Sequence, residues 1–168
     1  MPQNLEVKIK FDSFHDIKKT LEMIGARFTS TLNQKDIYYK NSKGLLKLRI
    51  ENGRETLIQY KRNENSINRW STYKLLEFSR GNAERFFRNV FEIETVVEKK
   101  RLLYIYKNTR VHLDKIRHLG NYLELETLVI NGKNDAKNRF NEIVHLLKLD
   151  LEKQIKKSNR DLMLENKK

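Results

Sequence analysis

Residues 4–11 read NLEVKIKF, and they alternate a polar or charged side chain with an apolar one along the whole stretch. In a β-strand successive side chains point to opposite faces of the sheet. Asn4, Glu6 and Lys8 therefore share one face, and the apolar residues between them share the other. The stretch predicts a first strand with one charged face and one apolar face.

Four further stretches repeat this alternation: LLKLRI (45–50), VEKKRLL (97–103), RVHLD (110–114) and YLELE (122–126). Their charges are sorted by sign, because Lys47-Arg49 and Lys99-Arg101 are cationic pairs and Glu124-Glu126 is an anionic pair. One interpretation makes these faces ordinary solvated surface. In the other, a ligand supplies the missing partner, because like charges that lie opposite each other destabilise a sheet.

Composition narrows the classes of function. The chain has 168 residues, a formal net charge of +13 and no cysteine. Disulfides, thiolate metal sites and cysteine nucleophiles are therefore excluded. The positive charge favours an anionic partner, which the number alone does not identify: nucleic acid, a phosphorylated small molecule or an acidic membrane surface. No run approaches the ~20 apolar residues of a membrane span, so we expect a cytoplasmic protein without a membrane partner.

The order of predicted elements indicates an α+β fold in one domain, 1–168, whose residues 151–168 form a basic helix or tail. Asn52-Gly53 predicts a hairpin, and Asn108-Thr109 predicts another turn. About eight strands joined mostly by short turns are antiparallel and can close into a barrel. Helices that cover the apolar faces from outside would leave the charged faces inside.

A charged tunnel of this kind suits polyphosphate chemistry, which needs both signs of charge. Arg and Lys side chains hold phosphate oxygens. Carboxylates hold Mg²⁺ or Mn²⁺, and the metal neutralises charge that develops on the phosphate. The segregated cations and carboxylates are what a metal–triphosphate ligand requires, and on these residues alone that interpretation and plain surface stand about equal.

The same stretches resemble a known family. NLEVKIKF is similar to the first-strand signature of the CYTH superfamily, whose usual form is E-x-E-x-K. Further segments follow in the order of its class IV adenylyl cyclase-like branch: QKDIYY, GLLKLRI, LIQYKR, VVEKKRLLY, RVHLDKIRHLG, YLELE and KSNRDLML. The resemblance covers nearly the whole chain. It implies a triphosphate tunnel, an eight-stranded antiparallel closed β-barrel with a polar interior and helices packed outside.

The resemblance also implies an activity and a site. Family members cyclise ATP to cyclic AMP or hydrolyse inorganic, thiamine or RNA 5′ triphosphates with a divalent metal, here Mg²⁺ or Mn²⁺. The implied triphosphate-binding residues are Lys8, Lys47, Arg49, Lys61, Arg69, Lys99, Arg101 and Arg110. Arg62 replaces Lys61 if the register differs by one. The implied metal ligands are Glu6, Asp114, Glu124 and Glu126, and the implied catalytic residues are Lys8, Arg49, Asp114 and Glu124.

One departure from the family pattern concerns the metal. Asn4 stands where the first Glu of E-x-E-x-K belongs, so one carboxylate is missing and binding of a second metal is open. Two rival functions also remain open: a non-catalytic binder of triphosphates or RNA 5′ ends, and a basic RNA-binding domain. His112, on the charged face, has three open roles: a contact to phosphate, transfer of a proton and a structural hydrogen bond. A homodimer is a further expectation.

Overall fold

The computed structural model describes residues 3–62, 69–79 and 81–167, except for the side chains of Arg62 and Arg69. The strands are β1 (Gln3–Phe11), β2 (Arg27–Tyr39), β3 (Leu45–Glu51), β4 (Arg54–Arg62), β5 (Arg69–Phe78), β6 (Ile93–Tyr106), β7 (Thr109–Ile116) and β8 (Gly120–Leu128). The helices are α1 (His15–Met23), α2 (Ala83–Val90), α3 (Lys133–Leu146) and α4 (Asn159–Asn166), and a 3₁₀ turn spans Leu151–Lys153.

The strands form a closed barrel in the order β1-β5-β4-β3-β2-β6-β7-β8, and every pairing is antiparallel. The expected fold class, an eight-stranded barrel with helices outside, is confirmed. Hairpins supply the pairings of β2 to β5 and of β6 to β8. The long β2–β6 pairing and the β1–β5 and β1–β8 pairings join strands that are distant in sequence.

Two predicted turns illustrate how local sequence sets the hairpins. Asn52 and Gly53 join β3 to β4 with φ values of 49° and 77°, which confirms the predicted hairpin. The turn between β6 and β7 lies one residue earlier than predicted. It uses Lys107 and Asn108, with φ values of 43° and 59°. Asn tolerates the left-handed region, so it occupies the second turn position here and Thr109 begins the next strand.

Helices cover the apolar outer faces of the strands. The outward residues of β1, β7 and β8, such as Val7, Val111 and Leu125, pack against Leu21 of α1 and Ile143 of α3. On the other side of the barrel, residues of β2 and β3 pack against Phe87 of α2. The helices therefore bury the apolar faces from outside, and the charged faces are left to line the interior.

The C-terminal segment covers one end of the barrel. Met163 of α4 packs in a cluster with the buried side chains of Tyr38, Val97, Ile116 and Tyr122. Ser158 begins α4 with a reciprocal capping box to Asp161. None of the helices in the described ranges combines the length and apolar character that a membrane crossing requires.

Candidate functional site

The barrel interior contains a cavity of about 340 Å³ whose walls carry both signs of charge. Most of the predicted site residues line it: Glu6, Lys8, Lys47, Arg49, Lys99, Arg101, Arg110, Glu124 and Glu126. They come from β1, β3, β6, β7 and β8, and barrel closure brings these strands around one space. β4 and β5 add apolar and aromatic side chains to the lining, such as Ile58, Tyr73 and Leu75, as well as the carboxylate of Glu77.

Lys47 and Arg49 of β3 are held by one carboxylate of β2. Asp36 is fully buried and lies opposite Arg49 in the β2–β3 ladder. It accepts a hydrogen bond from Lys47 Nζ at 2.8 Å and two from Arg49, from Nε at 2.7 Å and from Nη2 at 2.8 Å. We call these three residues the Asp36 clamp. The clamp fixes two cations at the cavity wall in one geometry.

Burial and charge act in opposite directions within the Asp36 clamp. Burial, and after it repulsion from Arg49, lower the pKa of Lys47 to about 7, although Asp36 favours its charged form. Burial alone would raise the pKa of Asp36, but attraction from Arg49 and Lys47 holds this pKa well below its usual range. Asp36 is therefore a carboxylate at neutral pH, whereas Lys47 is only partly charged there, and an approaching anion would favour its charged form.

Lys99 and Arg101 of β6 form a second clamp with Asp114 of β7. Arg101 donates to Asp114 from Nε and from Nη2, each at 2.7 Å, and Lys99 Nζ donates at 3.1 Å. We call these residues the Asp114 clamp. Its Arg101 Nη2 also lies 3.3 Å from Glu124 Oε2. Burial, followed by repulsion from Arg101, lowers the pKa of Lys99.

The contacts of Asp114 place it behind the cavity wall, whereas the resemblance implies a metal-ligand role for it. Asp114 does not line the cavity, and both of its oxygens accept hydrogen bonds from Arg101 or Lys99. Burial would raise its pKa, but these two cations lower it far below the usual range. The inward faces of β6 and β7 pair Arg101 directly with Asp114. The carboxylate therefore holds the cations in place from behind.

Glu6, Glu124 and Glu126 of the cavity come from two adjacent strands, β1 and β8, and Glu51 of β3 and Glu77 of β5 also line it. In the β1–β8 ladder Glu6 lies opposite Glu126, and Lys8 lies opposite Glu124. Arg110 Nη1 of β7 is 3.5 Å from Glu126 Oε2. These β1 and β8 residues form the acidic side of the cavity, and the cations Lys8 and Arg110 among them limit the repulsion between the acids.

Asn4 and Glu6 share a neighbour that the sequence did not indicate. Ser71 of β5 lies opposite Asn4, and its hydroxyl is 2.6 Å from Glu6 Oε1 and in hydrogen-bond contact with Asn4 Oδ1. All three side chains are buried at the cavity wall. The neutral Asn4 therefore occupies the place of the missing carboxylate without adding a charge.

Lys8 connects the cavity to the C-terminal segment. Its Nζ donates to Asn159 Oδ1 at 2.8 Å, and the main-chain oxygen of Lys157 lies 3.4 Å away. The backbone amide of Ile155 also donates to the Lys8 carbonyl at 2.8 Å. Asn159 itself lines the cavity. The segment that the sequence indicated only as a basic tail thus supplies part of the cavity wall.

The described contacts do not place two of the predicted phosphate-binding residues, Lys61 and Arg69, at the cavity. Lys61 is exposed and lies in outer grooves, because Thr56, Ile58 and Tyr60 take the inward positions of β4 and alternation turns Lys61 outward. The structure thus places Lys61 outside the cavity lining, and a role for it in phosphate binding stays a prediction. The alternative, Arg62, and the predicted Arg69 have side chains outside the described residues.

His112 of β7 is buried beside the acidic side of the cavity. Its Nδ1 is 3.9 Å from Glu126 Oε1, and it has no hydrogen-bond partner among the residues that the structure describes. Burial, together with repulsion from Arg101, lowers the pKa of His112 to about 4. The imidazole is therefore neutral at physiological pH.

Comparison with known proteins agrees with this architecture. The model of the CYTH domain matches residues 2–159. The chain belongs to the CYTH domain family. A protein of Methanocaldococcus jannaschii, whose name assigns it provisionally to the adenylate cyclases, is 25% identical over 94% of this chain and 97% of its own.

Two solved structures share this CYTH fold. The PH1012 protein of Pyrococcus horikoshii OT3 has a TM-score of 0.80 and 25% identity, with 95% of this chain and 98% of that chain covered. A conserved protein of Pyrococcus furiosus has a TM-score of 0.77 and 21% identity, with 95% and 99% of the two chains covered. The second similarity shows the fold alone.

CYTH enzymes are metal-dependent, and the donor atoms of this cavity suit a divalent cation. His112, Glu124 and Glu126 offer ligand atoms that all lie within 4.8 Å of one another. Glu6 adds a carboxylate on the adjacent strand. Carboxylate oxygens are the ligands that Mg²⁺ and Mn²⁺ prefer. The residues present therefore fit a metal on the acidic side of the cavity of this CYTH protein.

Sequence reasoning missed Asp36, Ser71 and Asn159. Asp36 lies in QKDIYY, where it shares the inward parity of Tyr38, so the alternation held a signal for its direction. Its partners, Lys47 and Arg49, lie on the next strand of the sheet. The sequence carried no comparable signal for Ser71 and Asn159, because their neighbours come from β1, which is distant along the chain.

Proposed function

We propose that this CYTH protein is a metal-dependent enzyme that acts on a triphosphate, with cyclisation of ATP to cyclic AMP and pyrophosphate as the first candidate reaction. The single observation that carries the proposal is that two Asp-held Lys/Arg pairs line the same cavity as Glu6, Glu124 and Glu126. Cations that are already fixed in place bind phosphate oxygens without losing further side-chain freedom. The provisional name of the archaeal relative supports the cyclase candidate.

The roles of the chain's residues follow from their charge and position. Lys47 and Arg49 hold phosphate oxygens, and Lys99 and Arg101 extend the same cationic surface. Asp36 and Asp114 orient these cations. A divalent metal held by Glu6, Glu124 and Glu126 would neutralise negative charge on the phosphates when bound.

For cyclisation, the ribose 3′-hydroxyl attacks the α-phosphorus and pyrophosphate leaves. Charge develops on the leaving pyrophosphate, and Lys8 together with Arg49 would stabilise it. Glu124 lies opposite Lys8 in the barrel, where it can accept the hydroxyl proton. Each of these three residues lines the cavity.

A second candidate, hydrolysis of the terminal phosphate, is favoured by the aromatic side chains of the cavity. Tyr38 and Tyr60 each lie 5.5 Å from Lys47 Nζ and surround that ammonium. They are therefore engaged with a cation and not arranged as a slot for a base, which leaves Tyr73 as a stacking surface in the described lining. A site without a built base pocket would act on several triphosphates.

The experiment incubates purified protein with ATP, inorganic triphosphate or thiamine triphosphate in Mg²⁺ or Mn²⁺, and it measures cyclic AMP and released phosphate. Cyclic AMP with pyrophosphate supports the cyclase candidate, and phosphate alone supports hydrolysis. If neither product appears with any combination while triphosphate still binds, the protein is a binder and the enzyme proposal fails. Binding to long RNA that weakens steeply with salt, without triphosphate binding, would favour the RNA-binding alternative.

The sharpest variant is Glu126→Gln, which removes one cavity carboxylate while conserving shape. We expect activity to fall by orders of magnitude, roughly the 10²- to 10³-fold that loss of one electrostatic group costs other enzymes. Glu98→Gln is the matched control, because Glu98 lies on the outer surface and pairs with Arg117. Unchanged activity in Glu126→Gln would contradict the assignment of β8 to the active site.

A further inference from the structure

His112 is the buried polar residue that the roles above leave unexplained. Its side chain is 4% exposed, and its Nδ1 has no hydrogen-bond partner among the described residues. A buried nitrogen in this condition carries a cost of about 1–3 kcal/mol unless something else satisfies it. The atom points toward Glu126, whose Oε1 is 3.9 Å away, too far for a hydrogen bond.

The spacing of this nitrogen and its acidic neighbours is that of a metal site. A ring nitrogen of His112 and oxygens of Glu124 and Glu126 all lie within 4.8 Å of one another, and Nδ1 is the nitrogen 3.9 Å from Glu126 Oε1. Three ligands bound at about 2.1 Å in tetrahedral or octahedral geometry are separated by about 3 to 4 Å. The three side chains therefore need only small rotations to share one ion.

Position within the barrel separates the roles of the three side chains. Glu124 and Glu126 line the cavity, whereas His112 lies behind them, outside the lining. An ion held by all three would be covered by His112 on one side and open to the cavity on the other. That open side is where triphosphate oxygens would meet it.

Charge explains why this chain benefits from a nitrogen ligand. Asn4 lacks the carboxylate that the first Glu of the E-x-E-x-K signature would supply. The hydroxyl of Ser71 donates a hydrogen bond to the amide oxygen of Asn4. Arg101 and Arg110 lie 3.3 Å and 3.5 Å from Glu124 and Glu126, so part of the acidic charge is already neutralised. A neutral imidazole adds a donor without adding repulsion to this group.

We propose that His112 Nδ1, with Glu124 and Glu126, binds a divalent first-row transition metal in preference to Mg²⁺. Imidazole nitrogen suits Mn²⁺ less than Co²⁺ or Zn²⁺, but it suits all three better than Mg²⁺, which demands oxygen ligands. The inference rests on the proposed function only in using the same cavity. It adds the identity of a ligand and the class of metal.

The test measures metal binding without any triphosphate. Isothermal titration of the full chain with Mg²⁺, Mn²⁺ and Co²⁺ gives the order of affinity, and we expect Co²⁺ to bind tightest and Mg²⁺ to bind weakest. Electron spin echo spectroscopy of the Mn²⁺-loaded wild-type protein then reports directly on ¹⁴N coupling to the metal. We expect one histidine nitrogen. Mg²⁺ binding as tight as Co²⁺ binding, or no nitrogen coupling, would overturn the proposal.

Substitution tests the assignment to His112. His112→Gln should lose the nitrogen signal and bind Co²⁺ at least tenfold more weakly. The matched control His118→Gln should keep both, because His118 is an exposed turn residue outside the three-residue group. Unchanged Co²⁺ affinity in His112→Gln contradicts the proposal. The wild-type nitrogen signal decides it even if His112→Gln does not fold.

These outcomes separate the metal inference from the enzymatic proposal. If the protein binds a metal with ¹⁴N coupling and yet forms no product from any triphosphate tested, that result would contradict the enzymatic proposal and support the metal site. Turnover by a protein whose metal shows no nitrogen coupling would keep the enzyme and reject His112 as a ligand.

Discussion

The Asp36 clamp and the Asp114 clamp follow one plan but differ in access to the cavity. Each joins a Lys-x-Arg pair on one strand to a buried Asp on the neighbouring strand. The side chains of Lys47 and Arg49 are 10% and 19% exposed, whereas those of Lys99 and Arg101 are 2% and 5% exposed. The same arrangement can therefore present cations to a ligand or bind them into the barrel wall.

The surroundings of each clamp account for the difference. In the Asp36 clamp, Lys47 is bordered by the rings of Tyr38 and Tyr60, which provide no opposite charge. In the Asp114 clamp, Arg101 also contacts Glu124, and this contact links the cations to the acidic side of the cavity. We therefore expect the Asp36 clamp to contribute more to ligand binding and the Asp114 clamp to contribute more to stability.

The largest expected effect concerns the two acids. Asp114→Asn would leave two almost fully buried cations without their carboxylate, and removing one partner of a buried ion pair costs about 3–5 kcal/mol. Asp36→Asn should cost about 1–3 kcal/mol, because Lys47 can lose its proton and Arg49 reaches the cavity. Urea unfolding of both variants beside the wild-type protein measures the difference. If both variants lose the same free energy of unfolding, the proposed difference in stability between the clamps is wrong.

The next effect concerns affinity for a triphosphate. Arg49→Gln should weaken binding of inorganic triphosphate by about 10- to 100-fold, because a hydrogen bond to a charged group contributes about 1.5–3 kcal/mol. Arg101→Gln should weaken it less and destabilise the fold more, since Arg101 is engaged by Asp114 and Glu124. Calorimetric titration of both variants checks the order. A larger affinity loss in Arg101→Gln would reverse the assigned roles.

The smallest effect is a dependence of binding on pH. Lys47, with a pKa of about 7, is mostly charged at pH 6 and mostly neutral at pH 8 in the free protein. If triphosphate binds only the charged form of Lys47, binding raises the pKa of Lys47. The affinity for triphosphate should then fall by about tenfold from pH 6 to pH 8. Lys47→Arg, which stays charged, is the control, and it also corrects for titration of the phosphate itself. The prediction fails if the ratio of the two affinities does not change with pH.

The sequence determined the faces of the strands. Alternation in NLEVKIKF, LLKLRI, RVHLD and YLELE assigned each residue to one of two sides, and period two is a property of the extended backbone that needs no tertiary contact. Gly53 after Asn52 likewise set a hairpin through its positive φ. Short turns between the strands indicated that they could close into a barrel, the resemblance to the CYTH superfamily implied the closed eight-stranded form, and the structure confirms it.

Tertiary structure decided which residues meet across the barrel. Ser71 reaches Glu6 and Asn159 reaches Lys8 because segments that are distant in sequence become neighbours in the folded barrel, which local alternation does not encode. Asp36 reaches Arg49 because the register of the β2–β3 hairpin places the two residues opposite each other. Lys61 points outward because the register of β4 is set by pairing with β3 and β5, and a shift of one residue exchanges the two faces. The sequence thus determined the two chemical faces, while barrel closure determined which of their side chains share a cavity.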